Sequence, residues 1–166
     1  MNAAGLAVTL RPATDADRPF MLRVYASVRE PELEASGLPR EQWGAFIEHQ
    51  FEAQSQAYAK YPGTSFKVVL VDGEPAGRLI VARWPEELRV VDIALLPEFR
   101  GRGIGESLMR EVIEEAEERG VKASIHVERL NPAQHLYTRL GFRMVSETGI
   151  YLLLERPATA QANNAS

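Results

Sequence analysis

The apolar positions along the chain change period several times, and each change marks an element. Apolar and polar residues alternate from Leu6 to Leu10, which predicts a short strand. Phe20, Met21, Val24, Tyr25 and Val28 then recur at helical spacing, with Thr14 or Asp15 placed to cap the helix. The stretch REPELEASGLPR carries two prolines and a glycine and is expected to break that pattern. A second helix is predicted from about Glu41 to Lys60, with Trp43, Phe46, Ile47, Phe51 and Tyr58 on one side. Three strand signals follow: SFKVVLV, closed by the turn DGEP, then AGRLIVARW and LRVVDIALL. Their short connections predict an antiparallel meander.

Beyond Pro97, Ile104, Leu108, Val112 and Ala116 are four residues apart, and Met109 and Ile113 widen the stripe. The opposite face is almost wholly charged, so an amphipathic helix is expected, with Gly120 where a C-terminal cap belongs. KASIHVE reads as a strand, and the strand-helix-strand order places it parallel to LRVVDIALL. Asn131 and Pro132 open a short helix through AQHLYTRL that stops at Gly141, and FRMVSE and IYLLLE form a last hairpin around Thr148 and Gly149. One domain is expected over residues 1–156, followed by a disordered tail, 157–166, with no core-forming residue.

Composition narrows the function. A chain of 166 residues, 45% apolar, fits one continuous core. The net charge of −4 argues against a nucleic-acid partner, which needs a basic face. There is no cysteine, which excludes disulfides, thiolate nucleophiles and cysteine-ligated metals, and no metal is expected. MNAAGLAVTL lacks the basic and long apolar segments of a secretion signal. No apolar run approaches the roughly 18 residues of a membrane helix. A cytoplasmic protein without a membrane partner is expected.

The segment LLPEFRGRGIGESLM, residues 95–109, joins strand to helix. A helix start has four backbone N–H groups without internal partners and about half a positive charge from the aligned peptide dipoles. Phosphate suits both features. Gly101, Gly103 and Gly105 allow close backbone approach, and Arg100 and Arg102 add charge-assisted donors. A phosphorylated cofactor is one reading; a glycine-rich turn is the other. A P-loop is excluded, because Glu106 follows Gly105 where lysine is required. A dinucleotide fingerprint matches in part, with Glu128 where a ribose-binding acid would stand.

Arg100-x-x-Gly103-x-Gly105, after a strand and opening a helix, resembles the acyl-CoA signature R/Q-x-x-G-x-G/A of the GNAT superfamily of N-acyltransferases. The order of elements over residues 6–155 is similar too, and NPAQHLYTRLGF resembles the family's second motif. The resemblance implies a mixed α/β fold: a mostly antiparallel twisted sheet with one parallel, splayed strand pair and flanking helices. It implies transfer of an acyl group, usually acetyl, from acetyl-CoA to an amine of a small molecule or a protein. Backbone amides of Gly101, Arg102, Gly103, Ile104, Gly105 and Glu106 would hold the pyrophosphate, supported by Arg100. The backbone at Ile93, Ala94 and Leu95 would contact the pantetheine arm and acyl carbonyl. Asn131 is a further cofactor contact or a helix cap, since it stands six residues before the tyrosine rather than seven. A homodimer is compatible with the resemblance.

Aminolysis of a thioester needs an uncharged amine, an oxyanion donor and a proton for the departing thiolate. Tyr137 matches the family's position for the acid; the alternative is a buried aromatic anchor. His126 and Asp92 are the candidate bases, His126 because it titrates near neutrality and Asp92 because it interrupts an apolar strand. Asp92 is otherwise a water orienter or a sheet-edge charge, and His49 and His135 read as helix-surface residues. Glu30, Glu32 and Glu34 form either an acidic rim for an amine or a solvated loop, and Tyr25, Arg29 and Trp43 either line the acceptor pocket or pack the core. A non-catalytic acyl-CoA-binding module is the alternative to an enzyme.

Overall fold

The computed structural model describes residues 2–3 and 5–158. Strands β1 (Asn2–Ala3) and β2 (Leu6–Pro12) are followed by helices α1 (Arg18–Ser36) and α2 (Trp43–Ala59). Strands β3 (Thr64–Val71), β4 (Glu74–Trp84) and β5 (Glu87–Leu95) form the meander, and α3 (Ile104–Arg119) leads into β6 (Lys122–Glu128). Helix α4 (Gln134–Arg139) precedes the hairpin β7 (Arg143–Thr148) and β8 (Tyr151–Arg156). The sheet order is β1-β2-β3-β4-β5-β6-β8-β7. Every neighbouring pair is antiparallel except β5 with β6. The expected mixed α/β fold is therefore present. A sheet with one parallel pair is not the doubly wound parallel sheet that a dinucleotide fingerprint requires, so that alternative falls.

Strand alternation sorts the core into two layers. Val69, Val71, Leu79, Val81, Leu88 and Val90 join Leu108, Met109 and Val112 of α3 on one face. Val68 meets Met21, Tyr25 and Leu33 of α1 and Ile47 and Phe51 of α2 on the other. The amphipathic stripe read for α3 is its buried face, and Gly120 ends that helix at φ 68°, with its N–H turned to Glu117 O at 3.1 Å.

Three expectations need correction. Helix α1 does not break at Pro31 but runs through it to Ser36. Proline removes one helical hydrogen bond. Leu33, 4% exposed in the second core layer, compensates by burial, and Gly37 at φ 78° supplies the stop. Phe46 does not share the packed side of α2: it is 42% exposed, whereas Ile47 and Phe51 are buried. The segment after Arg156 is not wholly without a core residue, since Ala158 is 2% exposed. The rest of the expected tail, from residue 159, lies outside the described residues.

The feature that positions the site is an irregularity in β5. Ile80 stands opposite Asp92 but Val81 opposite Val90, so Val91 has no partner on β4. Such a bulge bends the strand and reverses which residues face which side. Leu88 and Val90 face α3 before it; Ile93 and Leu95 do so after it, while Asp92 turns to the α1/α2 face beside Arg78. The parallel pairing of β5 with β6 ends at Val90 and Ile125, although β5 continues against β4 and β6 against β8. The two strands part from that point.

Gly77 lets β4 hold the free end of β5. A Cβ there would collide with the Ala94 carbonyl oxygen and stand 2.9 Å from Leu95 Cα. Gly77→Ala is expected to cost about 1–3 kcal/mol, as overpacking does. A lowered urea midpoint measures this, and an unchanged midpoint contradicts it.

Candidate active site

The gap between β5 and β6 opens into a cavity of about 570 Å³ that passes through the sheet. Tyr25, Tyr58, Arg78 and Asp92 line it on the α1/α2 face, and Leu95, Gly105 and Met109 on the α3 face. A second cavity of about 320 Å³ lies against the loop before α3. Leu95, Arg100, Gly105 and Leu136 line both, so the two form one continuous cleft.

The loop has the properties of an anion cradle. Gly101 and Gly103 adopt φ 75° and 79°, which only glycine enters without strain. Among the described residues the backbone N–H groups of 101–106 have no hydrogen-bond partner; the first helical bond runs from Ser107 N to Gly103 O, at 3.1 Å. A Cβ at Gly105 would meet nothing within 4 Å, so space is open in front of these donors. Free amides, a helix start and an adjacent cavity fit a diphosphate. Gly101, Gly103, Ile104, Gly105 and Glu106 line the second cavity, and Ile93, Ala94 and Leu95 line the first. The two arginines differ. Arg100 lines both cavities and ties the loop to the end of β5, with Nε donating to Leu95 O at 2.9 Å and Nη2 to Ser27 Oγ at 3.3 Å. Arg102 packs over the Phe99 ring at 5.7 Å and is not among the residues lining either cavity.

Tyr137, His126, Asp92 and Asn131 all line the larger cavity. Tyr137 is 4% exposed, with its ring 6.2 Å from Phe142 on the α3 side. Burial, and then the charge of Asp92, push its pKa up to about 12. His126 is exposed and lies on the opposite side, because the buried Ile125 and Val127 face α3. Partial desolvation by the cleft walls, followed by the charge of Arg89, lowers its pKa below 6.5. Asp92 is no sheet-edge charge: it makes an ion pair with Arg78 inside the cleft. Asn131 Oδ1 accepts the Ala133 N–H at 2.8 Å in the turn that leads into α4, whose own cap position is Ala133. His49 and His135 are exposed on their helices as expected.

Several residues on the α1/α2 side escape a reading by motif. Arg78, Gln54 and Tyr58 line the cavity, and Arg78 Nη2 donates to Gln54 Oε1 at 2.8 Å. The available signal was a second charge in an apolar strand, Arg78 in AGRLIVARW, with Asp92 in the strand that follows. Tyr25 and Arg29 line the cavity, and Arg29 bridges Glu32 at 3.0 Å and Glu128 at 3.3 Å. Trp43 instead packs beside the second core layer, with Nε1 donating to Leu38 O at 2.8 Å. Of the three rim glutamates only Glu32 lines the cavity; Glu34 pairs with Arg40 at 3.5 Å. Among the described residues no group of acids and histidines is arranged to hold a metal, and no helix is long and apolar enough to cross a membrane.

Comparison with known proteins agrees with this architecture. Streptothricin acetyltransferase of Streptomyces lavendulae is 40% identical over 82 residues, covering 47% of this chain and 43% of that protein. Human N-acetylaspartate synthetase is 35% identical over 103 residues, covering 59% of this chain and 34% of that protein. The chain thus spans less than half the length of these two relatives. The crystal structure of PaiA N-acetyltransferase from Thermoplasma acidophilum, in complex with coenzyme A, superposes with a TM-score of 0.68 at 17% identity, over 91% of this chain and 99% of that one, and so shares the fold. The sequence model of the acetyltransferase (GNAT) family matches residues 33–142, about two thirds of the length. Together with the signature loop and the parted strands, that match places the chain in the GNAT acetyltransferase family.

Proposed function

We propose that the chain is an N-acetyltransferase that moves an acetyl group from acetyl-CoA to a primary amine. The observation that carries this is the cleft through the sheet, with an amide cradle at its α3 mouth and a buried phenol on its wall. Acetyl-CoA, when bound, supplies an activated thioester. The amides of Gly101 to Glu106 hold its pyrophosphate, Arg100 keeps the loop fastened to β5, and the backbone at Ile93, Ala94 and Leu95 orients the arm.

Acid and base stand on opposite sides of the sheet. His126, on the α1/α2 face, accepts the proton that the amine gives up as its nitrogen forms the new C–N bond. Tyr137, on the α3 face, carries its Oη proton at neutral pH as any phenol does, burial raising its pKa further, and gives that proton to the sulfur as the C–S bond breaks. Asp92 is committed to Arg78, which leaves His126 as the freer base. The relatives bear acetyltransferase and N-acetylaspartate synthetase names, which supports acyl transfer to nitrogen. The whole reading is tested by thiol release from acetyl-CoA across an amine panel; CoA binding with no release from any amine would indicate a binding module instead.

Three outcomes are expected. Gly105→Val fills the space before the cradle without touching the fold, so CoA affinity should fall at least about tenfold with thermal stability unchanged; calorimetry showing undiminished affinity contradicts the cradle. Tyr137→Phe should lower turnover about a hundredfold and leave CoA affinity intact, and equal turnover at saturation removes the acid role. With both substrates saturating, kcat should rise with pH through a midpoint below 6.5, because His126 must be neutral to accept a proton and its pKa is depressed. His126→Gln should erase that limb, and its persistence assigns the base elsewhere.

A further inference from the structure

The α1/α2 wall of the cleft carries two guanidinium groups whose donors are incompletely used. Arg78 is 5% exposed. Its Nη2 serves Gln54 and Asp92, but its Nε is buried with no hydrogen-bond partner. Arg29 has a side chain 20% exposed, and its Nη1 serves Glu32 and Glu128. Its Nε is likewise buried without a partner, and among the described residues its Nη2 makes no hydrogen bond. The Nε–Nη2 edge is the fork that receives a planar carboxylate through two parallel bonds. Both side chains lie against the ring of Tyr25, at 5.4 and 5.8 Å, so one aromatic plate fixes the two cations in one wall. Buried charged donors are normally matched, and two orphans on one cavity point to a ligand group that matches them.

The surrounding anions are Glu32, Glu128 and Asp92, each lining the same cavity. A subsite with cations and anions interleaved suits a zwitterion better than a polycation. A polyamine would leave the Arg29 edge and the Arg78 Nε–H unmatched.

We propose that this wall is a carboxylate subsite and that the acceptor is a small amino acid or close analogue. Its carboxylate docks on the free Nε–Nη2 edge of Arg29 and takes the unmatched Nε–H of Arg78, and its amino group is thereby directed toward His126. The inference rests on the acyl-transfer reading above, yet its binding component stands apart from turnover.

The test pairs α-amino acids and amino dicarboxylates with the same molecules carrying every carboxylate as an amide. CoA-loaded protein is titrated with each pair by calorimetry, and thiol release from acetyl-CoA is followed for the same pairs. At least one amino acid should bind about tenfold or more tighter than its amide, the size of a charge-assisted bond pair. Arg29→Lys keeps the charge and loses the planar fork. It should abolish that preference while leaving CoA affinity and the binding of the amides unchanged, which a merely structural tether would not do. Arg78→Lys gives the second reading if Arg29→Lys fails to fold. Amides that bind as well as the acids throughout, a preference that survives both variants, or binding by neither set overturns the subsite. Thiol release without a carboxylate preference removes the subsite and keeps acyl transfer; an Arg29-dependent preference without thiol release does the reverse.

Discussion

Strands β5 and β6 share a parallel ladder from Glu87 and Lys122 to Val90 and Ile125 and then lose it, because the unmatched Val91 bends β5 away. A sheet is normally a continuous barrier between two layers of helices. Here the barrier is interrupted where it is best supported, since each strand keeps its other neighbour: β4 holds β5 to Leu95 and β8 holds β6 to Glu128. The gap is therefore rigid at both edges and open in the middle. Ligands can meet inside it from opposite faces without either crossing the core.

The two mouths differ in chemistry because different elements build them. On the α3 side the donors are backbone amides, fixed in direction by the helix start and by glycines in the left-handed region. These suit a ligand whose charge lies on phosphates. On the α1/α2 side the groups are side chains, with Arg29, Arg78, Glu32, Asp92 and Glu128 tied to one another around Tyr25. Such a network is suited to a small polar molecule that carries both signs of charge. The bulge links the two sides, since it turns Asp92 toward Arg78 while leaving Leu95 within reach of Arg100.

Local pattern made most of the fold legible. Short apolar runs with turn residues between them located β3, β4 and β5, and the four-residue apolar spacing from Ile104 to Ala116 located the buried face of α3. Pro31 misled because a helix tolerates a lost hydrogen bond when Leu33 has a core to enter, and that core is contributed by α2 and β3. The cradle was legible for the same local reason, as loop and helix start are contiguous in sequence. The α1/α2 wall of the cleft was not. Arg78 and Asp92 belong to adjacent strands, but only the register shift at Val91 decides that they share a face. Arg29 meets Glu128 across 99 positions of chain, which no periodicity encodes.

In the proposed reaction, free amides before α3 receive the diphosphate of CoA at one mouth of a cleft through the sheet. Amide-resolved NMR during a CoA titration addresses this directly. The account predicts large, saturable shifts at Gly101 to Glu106 and smaller ones along Ile93 to Leu95, with the β7 edge unmoved. Saturable CoA binding that leaves residues 101–106 unperturbed would contradict it.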